Sequence, residues 1–201
     1  MLSEAAEGRL QVVHGDILEH DLQRVGQLGG WTAGEPVHII GNLPFNIATP
    51  LLMQWLRAIS VASAAGWPFP AQHLTLAFQK EVADRMVAPP GHRARTRLSV
   101  MTQTFCSARL ALTIPGAAFV PPPKVDAGVV VLTPLAPPPG IHFAQLETVC
   151  RALFHMRRKT VLNNARALFG DRLDLAQAWL EQCHVDPGLR AQALQLHNFH
   201  D

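Results

Sequence analysis

The 201-residue sequence has no apolar run approaching the ~20 residues that a membrane-crossing helix requires. It has no CxxC pair, and its three cysteines, Cys106, Cys150 and Cys183, are odd in number and far apart. That excludes a disulfide framework and a cysteine-rich zinc site, and fits core thiols in a reducing compartment. Ten histidines are scattered without HExxH or comparable ligand spacing, so no metal centre is expected. No signal or transit segment is visible, and nothing repeats internally. A strong net charge is also missing, at +2. What is there is 48% hydrophobic residues, enough for a packed globule rather than a disordered chain. Basic residues cluster locally. Arg151, Arg157, Arg158, Lys159 and Arg166 share one acid-free stretch, and four arginines lie between His92 and Arg109, also without an acid. Such patches suit a polyanion, and equally suit solvated helix faces.

Along the chain, strand and helix patterns alternate. Leu10–His14 reads as a short buried strand ending in Gly15-Asp16, and Val37–Ile40 as a second strand ending in Gly41-Asn42. In TPLLMQWLRAIS, Thr49 is the expected N-cap and Pro50 the first helical residue, with Leu52, Trp55, Leu56 and Ile59 on one face. A loop is expected over Ser60–Gln72. HLTLAFQ then reads as a strand, KEVADRMV and RLSVMTQTFC as helices, and RLALTI and AGVVVLTP as strands. After the proline-rich stretch Leu135–Gly140 only helical patterns follow, over Phe143–Met156, Arg158–Phe169 and Leu173–Cys183. The expected architecture is an α/β unit over residues 1–136 and a small all-helical unit over 137–201. In open α/β sheets ligands sit outside the carboxyl ends of the strands. Asp16 and Asn42 are therefore candidates there, although Asp and Asn at such ends also simply cap turns.

The tetrapeptide Asn42-Leu43-Pro44-Phe45 supports a sharper chemical reading. Pro44 has no N–H and favours an extended Leu43, so the Leu43 carbonyl is offered without a competing donor. The Asn42 side-chain oxygen is a second acceptor, and Phe45 supplies a flat apolar face. Two acceptors beside an aromatic plate suit a planar ring bearing an exocyclic NH₂, as in an unstacked base. Accepting both hydrogens draws that nitrogen toward sp³ and aims its lone pair at an electrophile. The aromatic face stabilises the developing positive charge by about 1–2 kcal/mol once water is excluded. The best match is methyl transfer from S-adenosylmethionine to an adenine amine.

Five ordered blocks extend this reading: GNLPFNIATPLL, FQKEVADRM, RLSVMTQTFC, IPGAAFVPPPKVDAGVV and RRKTVLNN. Together they resemble the rRNA adenine N6,N6-dimethyltransferase family over essentially the whole chain, and the family's mitochondrial branch above all. The resemblance implies a Rossmann-like, S-adenosyl-L-methionine-dependent methyltransferase domain followed by a helical domain that contacts rRNA. It implies that Asp16 hydrogen-bonds the adenine amine of the cofactor, with Ile17 beside it. Asn42 would touch both cofactor and target amine, Leu43 and Pro44 shape the backbone acceptor, and Phe45 stacks on the target base. Phe119 would close the base's other face, although it also reads as a core phenylalanine after a turn. Lys124 and the Arg157–Arg158–Lys159 run match positions facing rRNA, with Arg166 joining them on the stem. Lys80 and Glu81 read as a surface helix start.

The implied substrate is a pair of adjacent adenines in the 3′-terminal stem-loop of small-subunit rRNA, and the implied partner is the small ribosomal subunit. Placement in the mitochondrial matrix, a monomeric state and no membrane association complete the expectation. The family's glycine-rich GxGxG turn and the following ribose-binding acid do not occur in these residues; Gly29-Gly30 reads as a loop. The sequence therefore reads as the later part of that fold, with an exposed sheet edge and weak or absent cofactor binding. Alternatives are a non-methylating ribosome-assembly factor, a cofactor of mitochondrial transcription, or a protein- or DNA-amine methyltransferase.

Overall fold

The computed structural model describes residues 10, 12, 14–19, 37–65, 71–136 and 138–200. The Gly29-Gly30 loop and part of the expected loop at residues 60–72 lie outside them. Four strands form one sheet in the order β1-β2-β4-β3. β1 (Val37–Asn42) runs parallel to β2 (Ala71–Gln79), while β4 (Ala127–Pro134) lies antiparallel to both β2 and β3 (Cys106–Ile114). Alternation decides which face is buried: Leu74, Leu76 and Phe78 on β2 and Val130 and Leu132 on β4 point into the core. β1 is an outer strand of the described sheet, and its Ile40 is 81% exposed.

The parallel pair needs a crossover, and α1 (Phe45–Ala65) supplies it. Its residues Ala48, Leu51, Leu52, Trp55, Leu56 and Ile59 follow helical spacing and are all buried. The helix begins a turn earlier than Thr49-Pro50 suggests, because the Pro44 carbonyl accepts the N–H groups of Ile47 and Ala48, both at 3.1 Å. Pro50 consequently lies inside α1, not at its first position. α1 also runs on to Ala65, through residues expected to be loop. Of the expected strand at Leu10–His14, the described residues Leu10, Val12 and His14 are outside any strand, with Leu10 and Val12 exposed, and the other two lie outside the described residues. Alternating apolar residues make a strand only where a neighbouring ladder accepts them, and no described strand pairs there.

α2 (Lys80–Val87) follows β2 directly, and α3 (Arg97–Phe105) runs straight into β3. The side chains of α3 cap the end of α2. Ser99 donates to the Arg85 carbonyl, and Gln103 donates to those of Met86 and Ala88, both at 3.0 Å. Fully buried Arg95 adds a bond of 3.0 Å to the Ala88 carbonyl. α2 approaches β4 at Gly128, where a Cβ would stand 2.6 Å from the Ala83 Cβ and 3.1 Å from the Leu110 Cδ1. Ala83 cannot yield without moving its helix. Gly128→Ala is therefore expected to lower stability by about 1–3 kcal/mol, read as a reduced denaturant midpoint at unchanged slope.

After β4 the chain is helical: α4 (Phe143–Leu153), α5 (Val161–Ala165), a 3₁₀ turn (Arg166–Phe169), α6 (Leu173–Gln182) and two short 3₁₀ turns near the end. The helix expected from Arg158 starts only at Val161. Thr160 caps it, accepting the Asn163 N–H at 3.4 Å, which leaves Arg157–Lys159 in the preceding turn. The helical segment does not stand apart from the sheet. Phe105 and Phe143 stack at 5.7 Å, and one contiguous buried cluster runs from Ala48 to Phe199.

Candidate active site at the carboxyl edge of the sheet

Register places three connections on one edge. Asn42, the last residue of β1, pairs with Ala77, while Gln79 and Ile114 both pair with Ala127. The Asn42–Phe45 junction, the start of α2 and the loop from Pro115 to Asp126 therefore rise from the same side. With strands about 4.8 Å apart, β4 stands about 10 Å from β1.

At the first connection, Leu43 is half-buried against the core while Asn42 and Pro44 are exposed. A Cβ on Gly41 would meet Leu76 Cδ2 at 3.1 Å and Leu43 Cδ2 at 3.2 Å, so the bare glycine lets Leu43 fold inward. Pro44 caps α1 through its carbonyl, and Phe45, half-buried, is the first helical residue. The Asn42 amide makes no hydrogen bond among the described residues. A short, capped, rigid junction thus presents an uncommitted amide and an aromatic ring.

The loop after β3 carries Phe119. A 3₁₀ turn over Gly116–Ala118 precedes it, and the Phe119 N–H donates to the Gly116 carbonyl at 3.1 Å. The Asp126 carboxylate accepts the Gly116 N–H at 2.9 Å, and its carbonyl accepts the Lys80 N–H at 2.8 Å. One aspartate thereby closes the loop and fastens it to α2. Phe119 is half-buried and Lys124 exposed, with no ion pair to Lys124 among the described residues. Lys80 and Glu81 pair within α2, with Asp84 and Arg85 respectively, as a surface helix start should.

Asp16 is less directly placed. Its Oδ1 accepts the Leu18 N–H at 2.9 Å and its carbonyl accepts the Glu19 N–H at 3.0 Å, so it does cap a turn. The turn is fastened to α1, where Gln54 donates to the Leu18 carbonyl at 3.4 Å and Ile17 and Leu18 pack on the core. Gln54 lies about 13 Å along the helix axis from Phe45. No hydrogen bond joins Asp16 to Asn42 among the described residues.

The basic run occupies a different place, the turn between α4 and α5. Asn164, buried and missed by sequence reasoning, holds this turn with both ends of its amide. It accepts the Met156 N–H and donates to the Met156 carbonyl, each at 3.1 Å. Arg157 donates to the Arg93 carbonyl at 2.5 Å, while Arg158 and Lys159 are exposed. Arg166 is half-buried, and its Nε is buried without a partner among the described residues.

Burial pushes the Cys106 and Cys150 thiols up to about 12, so neither is a nucleophile at neutral pH. Among the described residues no group of three or more histidine, cysteine or acidic side chains could hold a metal ion, and no helix is long and apolar enough to cross a membrane.

Compared with known proteins, residues 1–201 match the family model described as Ribosomal RNA adenine dimethylase. The chain is 43% identical to the human protein named Dimethyladenosine transferase 1, mitochondrial, over 99% of its own length and 59% of that protein's. It is also 43% identical to Ribosomal RNA small subunit methyltransferase A of Caulobacter vibrioides, over 100% of its length and 69% of that protein's. It thus spans less than two thirds of the mitochondrial relative. Among solved structures, a dimethyladenosine transferase from Plasmodium falciparum aligns with TM-score 0.62 and 25% identity, covering 81% of this chain and 64% of that one. The 23S rRNA methyltransferase ErmE shares the fold, with TM-score 0.61 and 20% identity over 99% of this chain and 73% of its own.

Proposed function

Because this chain belongs to the ribosomal RNA adenine dimethylase family, we propose that the protein carrying it transfers methyl groups from S-adenosylmethionine to an adenine amine in ribosomal RNA. The observation that carries this reading is the Asn42–Phe45 junction, which shares one sheet edge with the loop bearing Phe119.

In this proposal the Asn42 Oδ1 and the Leu43 carbonyl accept the two hydrogens of the target amine. Phe45 and Phe119 take the two faces of the base, exclude water and stabilise the cationic nitrogen formed as the new C–N bond closes. No strong general base is needed, since the alkylated nitrogen loses its proton readily. S-adenosylmethionine, when bound, supplies the electrophilic methyl group. The Asp16 turn suits its adenine end: one carboxylate oxygen is committed to the Leu18 N–H, and the other is open to the N6–H of the cofactor, with Ile17 beside it.

The finer target is the pair of adjacent adenines in the 3′-terminal stem-loop of small-subunit rRNA, each methylated twice, in mitochondria. Residues 137–201 form the unit that grips the stem through Arg157, Arg158, Lys159 and Arg166, assisted by Lys124, since phosphate contacts set register rather than sequence. The modification accompanies assembly of the small subunit.

The test uses tritiated S-adenosylmethionine and a stem-loop RNA with two adjacent loop adenines. Label is expected in N6,N6-dimethyladenine and is expected to vanish when inosine, which lacks the amine, replaces both adenines. Equal labelling of the inosine RNA would overturn the reading.

A further inference from the structure

The loop that carries Phe119 has a second feature. Beyond the aromatic, Ala117, Ala118, Val120, Pro121, Pro122 and Val125 are all exposed. Val120 is 99% exposed, the highest value of any large apolar side chain among the described residues. Single exposed apolar residues are ordinary, but a whole loop tip of them is a surface awaiting a partner.

The tip is also stiff. Pro121–Pro123 fix three successive φ angles and remove three N–H groups. The base of the loop is pinched shut. Asp126 bonds Gly116, and a Cβ on Gly116 would stand 2.8 Å from the Pro123 carbonyl oxygen and 3.2 Å from that of Val125. The two limbs are therefore in backbone contact, which only glycine permits at that position. A protrusion so closed loses little conformational entropy when it inserts into a partner. Its charge fits one partner chemistry. The tip holds a cation, Lys124, which is exposed and makes no ion pair among the described residues. An apolar blade beside a single cation matches stacked bases flanked by a phosphate.

Resting on the proposed function, we infer that the loop Gly116–Val125 is a wedge, with Val120 its tip. It enters the RNA stack beside the target adenine and holds open the gap that the extruded base leaves. Extruding a base costs its stacking, and an apolar side chain placed in the gap keeps the base from returning. Phe119 and Val120 are consecutive, so the residue that receives the base and the one that replaces it are carried by one rigid turn.

The experiment places 2-aminopurine, whose fluorescence rises on unstacking, at the target position of the stem-loop RNA, and adds the 201-residue chain. A second RNA carries abasic sites on both sides of the probe, so that the stack is already broken. Val120→Gly is expected to cut the fluorescence gain on the intact stem-loop by about five-fold or more. The same variant should match the unsubstituted chain on the abasic RNA, and Val120→Leu should restore the gain on the intact one. A merely structural role for Val120 would lower both RNAs together, and that result overturns the wedge, as does an undiminished gain with Val120→Gly. If the unsubstituted chain gives no gain on the intact RNA, the wedge falls, while the adenine-amine reading, which a probe without the C6 amine does not test, is decided by the labelling experiment. A gain that is present but indifferent to Val120 removes the wedge alone.

Discussion

Asn42→Ala is expected to lower methyl transfer by about two to three orders of magnitude while leaving RNA affinity and the unfolding midpoint within error. The size follows from the role proposed for the amide. Its oxygen acts on the amine as positive charge builds there, in a site from which two aromatic rings exclude water, so its loss is felt in the transition state. The indifference of stability follows from the structure. Asn42 is the last residue of an outer strand, exposed, and its amide makes no hydrogen bond among the described residues. Removing it leaves no buried group unpaired. RNA affinity is expected to hold because the charged contacts assigned to Arg157, Arg158 and Lys159 lie on the α4–α5 turn and do not involve the Asn42 amide. Steady-state kinetics read this as a fall in kcat with KM almost unchanged. Asn42→Asp, which keeps an acceptor oxygen, should fall less far than alanine. A full-rate alanine variant would remove the amide from the mechanism.

What the sequence discloses about such a site is uneven, for physical reasons. α2 and β4 occupy the residues that the pattern marks, Lys80–Val87 and Ala127–Pro134, because each has one apolar face and abrupt ends. The start of α1 is misread because Thr49-Pro50 is the stronger local signal. The Pro44 carbonyl nonetheless captures two N–H groups first, and burial of Ala48 holds the added turn. Leu10, Val12 and His14 stand in a strand-like sequence yet lie outside any strand, because a strand exists only with a partner, and pairing is not a local property. The same limit hides the site. Asn42 and Phe119 are 77 positions apart in the chain. Their common edge depends on β4 entering antiparallel between β2 and β3, which no spacing reveals. The chemistry proposed for Asn42–Phe45 can be argued from sequence because it resides in four consecutive residues. The role of Asn164, which holds the basic turn, cannot, because its partner Met156 lies across that turn from it.

Phe105→Ala is expected to be the most destabilising of the substitutions considered, at about 3–5 kcal/mol. Phe105 closes α3, is fully buried, and leads directly into β3. Its ring lies 5.7 Å from that of Phe143, which opens α4 and is itself crossed by the Arg57 guanidinium at 5.0 Å. The cavity left by alanine would therefore open between the helices on the sheet and the helical segment, where neither side can collapse without tilting an entire element. Because the buried cluster is continuous from Ala48 to Phe199, the cost should be shared by both parts. Far-UV circular dichroism and tryptophan fluorescence should then trace one coincident transition at lower denaturant, with Trp55 on α1 and Trp179 on α6 among the reporting side chains. Loss of the helical signal before that of Trp55 would instead show that residues 137–201 unfold as a separate unit. In that event the grip on the RNA stem and the chemistry at the sheet edge could be uncoupled by mutation, and Phe105→Ala would weaken RNA binding while sparing the pocket.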